Sequence, residues 1–249
     1  MLEEIVTPRP LLAFLLPFLV VIIIFFLGCK NNSYNSIETS NIQKNKKTNV
    51  TDQIIELKEE VKENITLTDE NVIDFLFEFE KNNKEDHVRI YTPFGEIEIL
   101  LYNNILYHRS NFIYLTKKKY FEGTQFYRVI NDFVIQAGNS ENIKVSKKRR
   151  DIGKYLLPND FNKGHTHKRG MVSMPSSSVD NPYKMASPFE FFIVQKKDGA
   201  HHLNGNYTIF GEVIDGMETV DIIANLPTDN RDWPLNNVYI NKVEIVNDN

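Results

Sequence analysis

The spacing of apolar residues changes several times along this chain, and each change marks a different kind of segment. Residues 11–27 are apolar with Pro17 as the one interruption, and Arg9 precedes them; such a stretch sits at the short end of what spans a bilayer. Residues 30–50 are Asn, Lys, Ser and Thr with scattered Ile, too polar to bury a core, and read as a flexible tether. From Thr51 a helical period sets in, first with Ile54, Ile55, Val61 and Ile65 among Glu and Lys. It resumes behind Thr68 as N-cap, with Val72, Ile73, Leu76 and Phe79 on one stripe. That stripe is too apolar for a free linker and is expected to pack on the rest of the chain.

Beyond residue 86 the period shortens to two. Residues 88–91 and 97–101 alternate as strands around a Thr92-Pro93-Phe94-Gly95 turn, which predicts a β-hairpin. Residues 109–119 carry Phe112, Ile113 and Leu115 at helical spacing and end in three lysines, which suit a helix C-terminus. The central stretch, residues 120–138, places Arg128 in an otherwise apolar run. With Asn131-Asp132 as a turn it becomes a hairpin that brings Arg128, Phe133 and Gln136 to one surface. Residues 139–169 form a long polar segment. Residues 171–174, 191–194 and 208–213 read as short buried strands, 217–226 as a final helix, and 238–246 as a closing strand whose phase slips near Asn241. Many short strands with two helices predict a mainly β domain over residues 86–249, a closed antiparallel barrel capped by the helices, with residues 51–85 as an N-terminal helical neck.

Composition narrows the chemistry. With 41% hydrophobic and 25% charged residues over 249 positions the chain is an ordinary globular protein plus extensions. A net charge of −4 argues against nucleic acid as a partner. The one strong basic cluster, Lys147-Lys148-Arg149-Arg150, reads as a solvated loop. A single cysteine excludes an intrachain disulfide. His165, His167, His201 and His202 lack the Cys or carboxylate pairs of a metal site, and Ser176, Ser177 and Ser178 lack a motif for an adjacent base, so neither a metal nor serine hydrolysis is expected.

Arg128 poses the chemical question. An arginine keeps its charge and is rarely buried unless its five N–H donors find partners. On spacing alone it is a charge in a core hairpin, satisfied by a nearby carboxylate. The surrounding blocks point further. Phe126-Tyr127-Arg128-Val129-Ile130, two turn residues, and Phe133-Val134-Ile135-Gln136-Ala137-Gly138 resemble the signature of cyclophilin-type peptidyl-prolyl isomerases. Residues 170–174, 190–193 and 203–211 resemble the remaining blocks in the family's order.

The resemblance implies an isomerase of Xaa-Pro peptide bonds that needs no cofactor and acts on proline-containing polypeptides. It casts Arg128, Phe133 and Gln136 in catalytic roles. Phe133, Val134, Phe192 and Leu203 would hold the proline ring, with Tyr207 where many members have His. Departures fall in the groove for the substrate backbone: Glu190 stands where the family has Gln, Pro175-Ser176 replaces Ala-Asn, Ser187-Pro188-Phe189 replaces Asn-Gly-Ser, and His202 replaces a Trp. Glu190 and Ser176 are retained as substrate-binding positions. Glu190 is expected to pair with Arg128 and hold activity down, so that Glu190→Gln would raise it. A second reading keeps the same barrel as a proline-gripping chaperone or assembly module without turnover.

Cys29 follows Phe26-Leu27-Gly28 directly, which resembles a bacterial lipobox despite Glu3 and Glu4 near the start. The resemblance implies cleavage before Cys29 and lipid on its thiol, holding the chain to a membrane. Under the other reading residues 1–28 stay as an uncleaved anchor. Both place the remainder outside the inner membrane.

Overall fold

The computed structural model describes residues 65–176 and 180–246; the apolar segment, Cys29, the tether, residues 51–64 of the expected neck, and Ser177 and Ser178 lie outside the described residues. A short strand β1 (Leu67–Thr68) and helix α1 (Val72–Glu80) come first, then β2 (His87–Thr92), β3 (Gly95–Leu101) and α2 (Leu106–Lys117). The central hairpin is β4 (Gln125–Ile130) and β5 (Val134–Asn139), followed by α3 (Ile143–Ile152) and β6 (Gly153–Lys154). The chain ends with β7 (Met171–Met174), β8 (Phe191–Val194), β9 (Thr208–Asp215), α4 (Met217–Ala224), β10 (Val238–Tyr239) and β11 (Lys242–Ile245).

Nine strands form one antiparallel sheet in the order β10-β4-β5-β8-β7-β9-β3-β2-β11. The fold is mainly β, a curled half-barrel with four α-helices among the described residues, where the pattern predicted a closed barrel and two. The single closing strand expected over residues 238–246 is two strands. Val238 and Tyr239 pair with β4 at one edge, and β11 pairs with β2 at the other. Between them Ile240 N–H donates to Thr124 O at 2.8 Å and Asn241 N–H to Tyr91 O at 2.9 Å. The phase slip near Asn241 is this crossing, where the chain passes from the β4 edge to the β2 edge.

The central strands are buried on both faces, so they read as unbroken apolar runs. Ile135, Ala137, Phe191, Ile193 and Val172 turn into the main core with Phe112, Phe121, Phe126 and Phe210; the rings of Phe112 and Phe121 stack at 4.6 Å. Val134, Phe192 and Val194, of opposite parity, turn to the other face and make a second, smaller cluster.

Residues 65–85 are sewn onto this sheet. The helix starts at Val72 rather than at Asp69, because Asn71 closes a turn there: its Oδ1 accepts the Thr68 N–H at 2.9 Å. Val72 and Leu76 are buried, while Phe75 and Phe79 set their rings edge-on to Tyr114 of α2 at 4.9 and 5.5 Å. At β1 the backbone of Leu67 lies against Gly153, where a Cβ would come within 2.0 Å of Leu67 O. Only glycine permits that approach, and its φ of +141° suits it alone. The long polar segment holds a helix, not only a loop. Asn142 caps α3 by accepting the Lys144 N–H, Val145 and Ile152 are its buried contacts, and the basic cluster lies along its last turns.

On α2, His108 is wholly buried near Phe210, with neither ring nitrogen hydrogen-bonded among the described residues. Burial pushes its pKa down to about 3. On acidification the unfolded chain takes up this proton near pH 6.5 while the folded chain refuses it, so stability falls from about pH 6.5 towards pH 3. The expected loss from this residue between pH 7 and pH 5 is about 2 kcal/mol. Urea unfolding of the wild type and His108→Leu at both pH values checks it; equal pH dependence in the two would refute the assignment.

Candidate active site

Register, not sequence distance, assembles the site. Arg128 of β4 pairs with Gln136 of β5, Gln136 with Phe192 of β8, and Phe192 with Ser173 of β7. Cross-strand partners share a face, so a cation, an amide and an aromatic ring stand in one row on the face away from the main core. β4 carries an extra residue at this point: Phe126 opposes Ala137 and Arg128 opposes Gln136, with Tyr127 unpaired between them. The bulge re-aims Tyr127 towards Gln136, whose Nε2 donates to the Tyr127 hydroxyl.

Beside the row lies the second apolar cluster: Val134, Phe192, Val194 and Ala200, flanked by Phe133, Met171, Leu203 and Tyr207. Every residue that resemblance assigned to the proline hole falls in it. The Phe192 and Tyr207 rings meet edge to face at 5.6 Å, and Phe133 stacks on His202 at 5.4 Å. The turn that carries Phe133 is pinned to the strand end by the Gln195 and Lys196 N–H groups, which donate to Phe133 O at 2.9 and 3.1 Å. Ser176 is not part of this cluster; it is bridged to Ala186 beyond the end of β7.

His167 floors the hole. It is fully buried, its ring parallel to Phe192 at 6.0 Å. Asn204 Oδ1 accepts from the His167 backbone N–H at 2.9 Å and from its Nδ1 at 2.8 Å, which leaves Nε2 to accept the Ser173 hydroxyl at 3.0 Å. Burial lowers its proton affinity, in keeping with one neutral tautomer whose nitrogens are both spent. His165 is likewise engaged, stacked on Tyr102 at 4.1 Å with Nε2 3.2 Å from Asn104 Oδ1.

The charges do not pair as expected. Arg128 Nε lies 3.4 Å from Asp232 Oδ2, with both side chains about two-fifths exposed, at 42% and 41%. Asp232 sits on a loop held to β4 by its own carbonyl, which accepts the Val129 N–H at 2.8 Å. Glu190 is elsewhere: Oε2 accepts from the Tyr127 hydroxyl at 3.0 Å, Oε1 from Asn139 Nδ2 at 3.3 Å, and Oε1 lies 3.7 Å from Arg149 Nη1. The expected Glu190–Arg128 pair is therefore replaced by Asp232–Arg128 and Glu190–Arg149. Asp232, Tyr127, Arg149 and His167 were not foreseen as site neighbours. Tyr127 is the immediate neighbour of Arg128; Arg149 and His167 stand out in the sequence only as part of a basic cluster and of a histidine set, and Asp232 arrives from a distant loop.

An exposed guanidinium edge beside a dry aromatic hole, with an amide between them, can bind a peptide by its backbone while one small apolar ring is sequestered. The one Ser–His contact in this row, Ser173 with His167, is wholly buried and open to no substrate, so the arrangement suits a non-covalent change of conformation.

A family model described as "Cyclophilin type peptidyl-prolyl cis-trans isomerase/CLD" matches residues 87–245. A peptidyl-prolyl cis-trans isomerase-like 3 of Dictyostelium discoideum is 31% identical over 160 residues, covering 64% of this chain and 94% of that protein. A peptidyl-prolyl cis-trans isomerase of Acinetobacter baylyi is 36% identical over 144 residues, or 57% of this chain and 73% of that one. Among solved structures, a cyclophilin-type peptidyl-prolyl cis-trans isomerase of Cryptosporidium parvum superposes with a TM-score of 0.55 at 27% identity, covering 66% of this chain and 99% of that one. A second structure of that protein, in the presence of the dipeptide Ala-Pro, gives a TM-score of 0.53 at 28% identity over 65% of this chain and 99% of that one.

Proposed function

This chain belongs to the cyclophilin-type peptidyl-prolyl cis-trans isomerase family and is an isomerase of Xaa-Pro bonds; on that premise we propose how its groups carry the reaction and where the enzyme works. Rotation about a peptide bond meets a barrier of about 18–20 kcal/mol because the C–N bond is partly double. Twisting to 90° breaks that resonance and leaves a lone pair on the prolyl nitrogen and a more ketone-like carbonyl. The enzyme has only to bind the twisted state better than either planar one.

Arg128 donates to the prolyl nitrogen or the adjoining carbonyl, a charge-assisted bond that strengthens as the lone pair forms. The hole of Phe133, Val134, Phe192 and Leu203 holds the ring, worth about 2 kcal/mol of apolar burial. Tyr207 closes one wall and can donate its hydroxyl. Gln136 bonds the substrate backbone. The observation that carries this reading is the row Arg128–Gln136–Phe192 alongside that hole.

The enzyme is tethered to a bacterial membrane through lipid on Cys29 and assists the folding of exported proteins in the periplasm or at the cell exterior. The lipobox-like Phe26-Leu27-Gly28-Cys29 after an apolar stretch supports this. Residues 51–64 would form the outer part of a helical neck between tether and domain. Mass spectrometry of the membrane fraction tests the anchor. The expected species is an N-terminal peptide beginning at acylated Cys29; an intact residue 1–28 segment would leave the uncleaved anchor instead, and recovery in the soluble fraction would end both.

A further inference from the structure

Glu190 and Tyr127 form a chain of donors and acceptors that ends on Gln136, and its polarity is determined. A carboxylate only accepts, and Glu190 Oε1 is already engaged by Asn139 Nδ2 at 3.3 Å and faced by Arg149 Nη1 at 3.7 Å. Its Oε2, 3.0 Å from the Tyr127 oxygen, must take the phenolic proton. That proton stays in place: burial first, and then the charge of Glu190, push the Tyr127 pKa far up. A phenol has one proton to give, so towards Gln136 the Tyr127 oxygen can only accept. The Gln136 amide therefore turns its nitrogen to Tyr127, as observed. Its carbonyl oxygen, which has no hydrogen-bond partner among the described residues, is left as the free end. The reverse flip would set two acceptors face to face and strand both.

We propose that Tyr127 and Glu190 are positioning residues that lock the Gln136 amide with its oxygen presented to the peptide, so that it accepts a substrate N–H. The Arg149 guanidinium of α3, which rests over the Phe189 ring at 4.8 Å, anchors the far end of the chain. This rests on Gln136 as a substrate-contacting residue. It also assigns Glu190 a part opposite to inhibition: the carboxylate supplies the one-way character that a glutamine, able to give or take, lacks.

The test is a double-mutant cycle on the full chain, with cis/trans exchange of an Ala-Pro peptide followed by NMR. Gln136→Ala and Tyr127→Phe are each expected to lower kcat/KM about tenfold, since each leaves a polar group unpartnered or misdirected. In the Gln136→Ala background, Tyr127→Phe should then cost less than about twofold, because residues acting through one partner are not additive. Glu190→Gln, which preserves volume, should lower activity several-fold and lose its effect in the same background; it carries the test if Tyr127→Phe does not fold. Full activity in Gln136→Ala would overturn the substrate contact and the relay together. A tenfold loss in Gln136→Ala, with Tyr127→Phe and Glu190→Gln either silent or multiplying independently, would overturn the relay alone.

Discussion

Arg128→Ala is expected to lower kcat/KM for a short Xaa-Pro peptide by about 10²- to 10³-fold, the usual consequence of removing one donor aimed at developing charge. On the mechanism proposed above the loss should fall mainly on kcat, because the lone pair assigned to Arg128 exists only in the twisted state, while the apolar cluster assigned to the proline ring is untouched. Folding should be little affected, since the side chain is 42% exposed and, among the described residues, its ion pair is with the equally open Asp232. Arg128→Lys should recover a minor part of the rate, because an ammonium lacks the planar fork that can serve Asp232 and the substrate together. NMR exchange rates measured across substrate concentrations give both constants. A loss below about threefold, or one expressed wholly in KM, would remove Arg128 from the reaction centre.

The largest stability effect is expected at Arg109→Ala, at about 3–5 kcal/mol. Arg109 is 1% exposed on α2, and its Nη2 donates to Glu80 Oε1 at 2.7 Å while Nη1 reaches the Asn83 and Glu85 carbonyls at 3.4 and 3.2 Å. One buried cation thus ties α1 and the link to β2 onto the sheet's principal helix. Removing it leaves two carbonyls and part of a carboxylate without donors, although Lys84, at 2.5 Å from Glu80, moderates the last of these. Urea denaturation should show the midpoint falling with little change in slope, and limited proteolysis should find residues 65–85 first. A shift below about 1 kcal/mol would show that this segment is held by Leu67, Val72 and Leu76 alone. The same contacts predict that a chain beginning at residue 86 would expose the apolar surface those three cover.

How much of this could be read beforehand depends on the range of the interaction. The hairpin around Asn131-Asp132 was legible because it is local: a turn pair, with Asp132 at φ +54°, between two apolar runs. The clustering of Phe133, Val134, Phe192 and Leu203 was legible through family blocks in which each residue carries its own letter. The α3 helix was not, because only Val145 and Ile152 mark a buried stripe among lysines and arginines, and a weak stripe resembles a solvated loop. Glu190 was assigned the wrong cation for a related reason. Arg128 stood out in the sequence, but Arg149 reaches Glu190 only because α3 packs against the turn at residues 119–123 and against Phe189, and Asp232 reaches Arg128 only because its loop is pinned to β4.

The sequence by itself determined the strand and helix periods, the parity that divides Ile135 and Ile193 from Val134 and Val194, the blocks of the isomerase family, and the lipobox-like cysteine. Each follows from neighbours a few residues apart or from the identity of single letters. Tertiary structure alone decided that the chain crosses from one sheet edge to the other at Ile240 and Asn241, that Tyr127 bulges towards Gln136, and which acid faces which base. Those outcomes depend on register and on chain segments dozens of residues apart, where a charge is paired by whatever the fold brings within about 4 Å, and no local spacing encodes that distance.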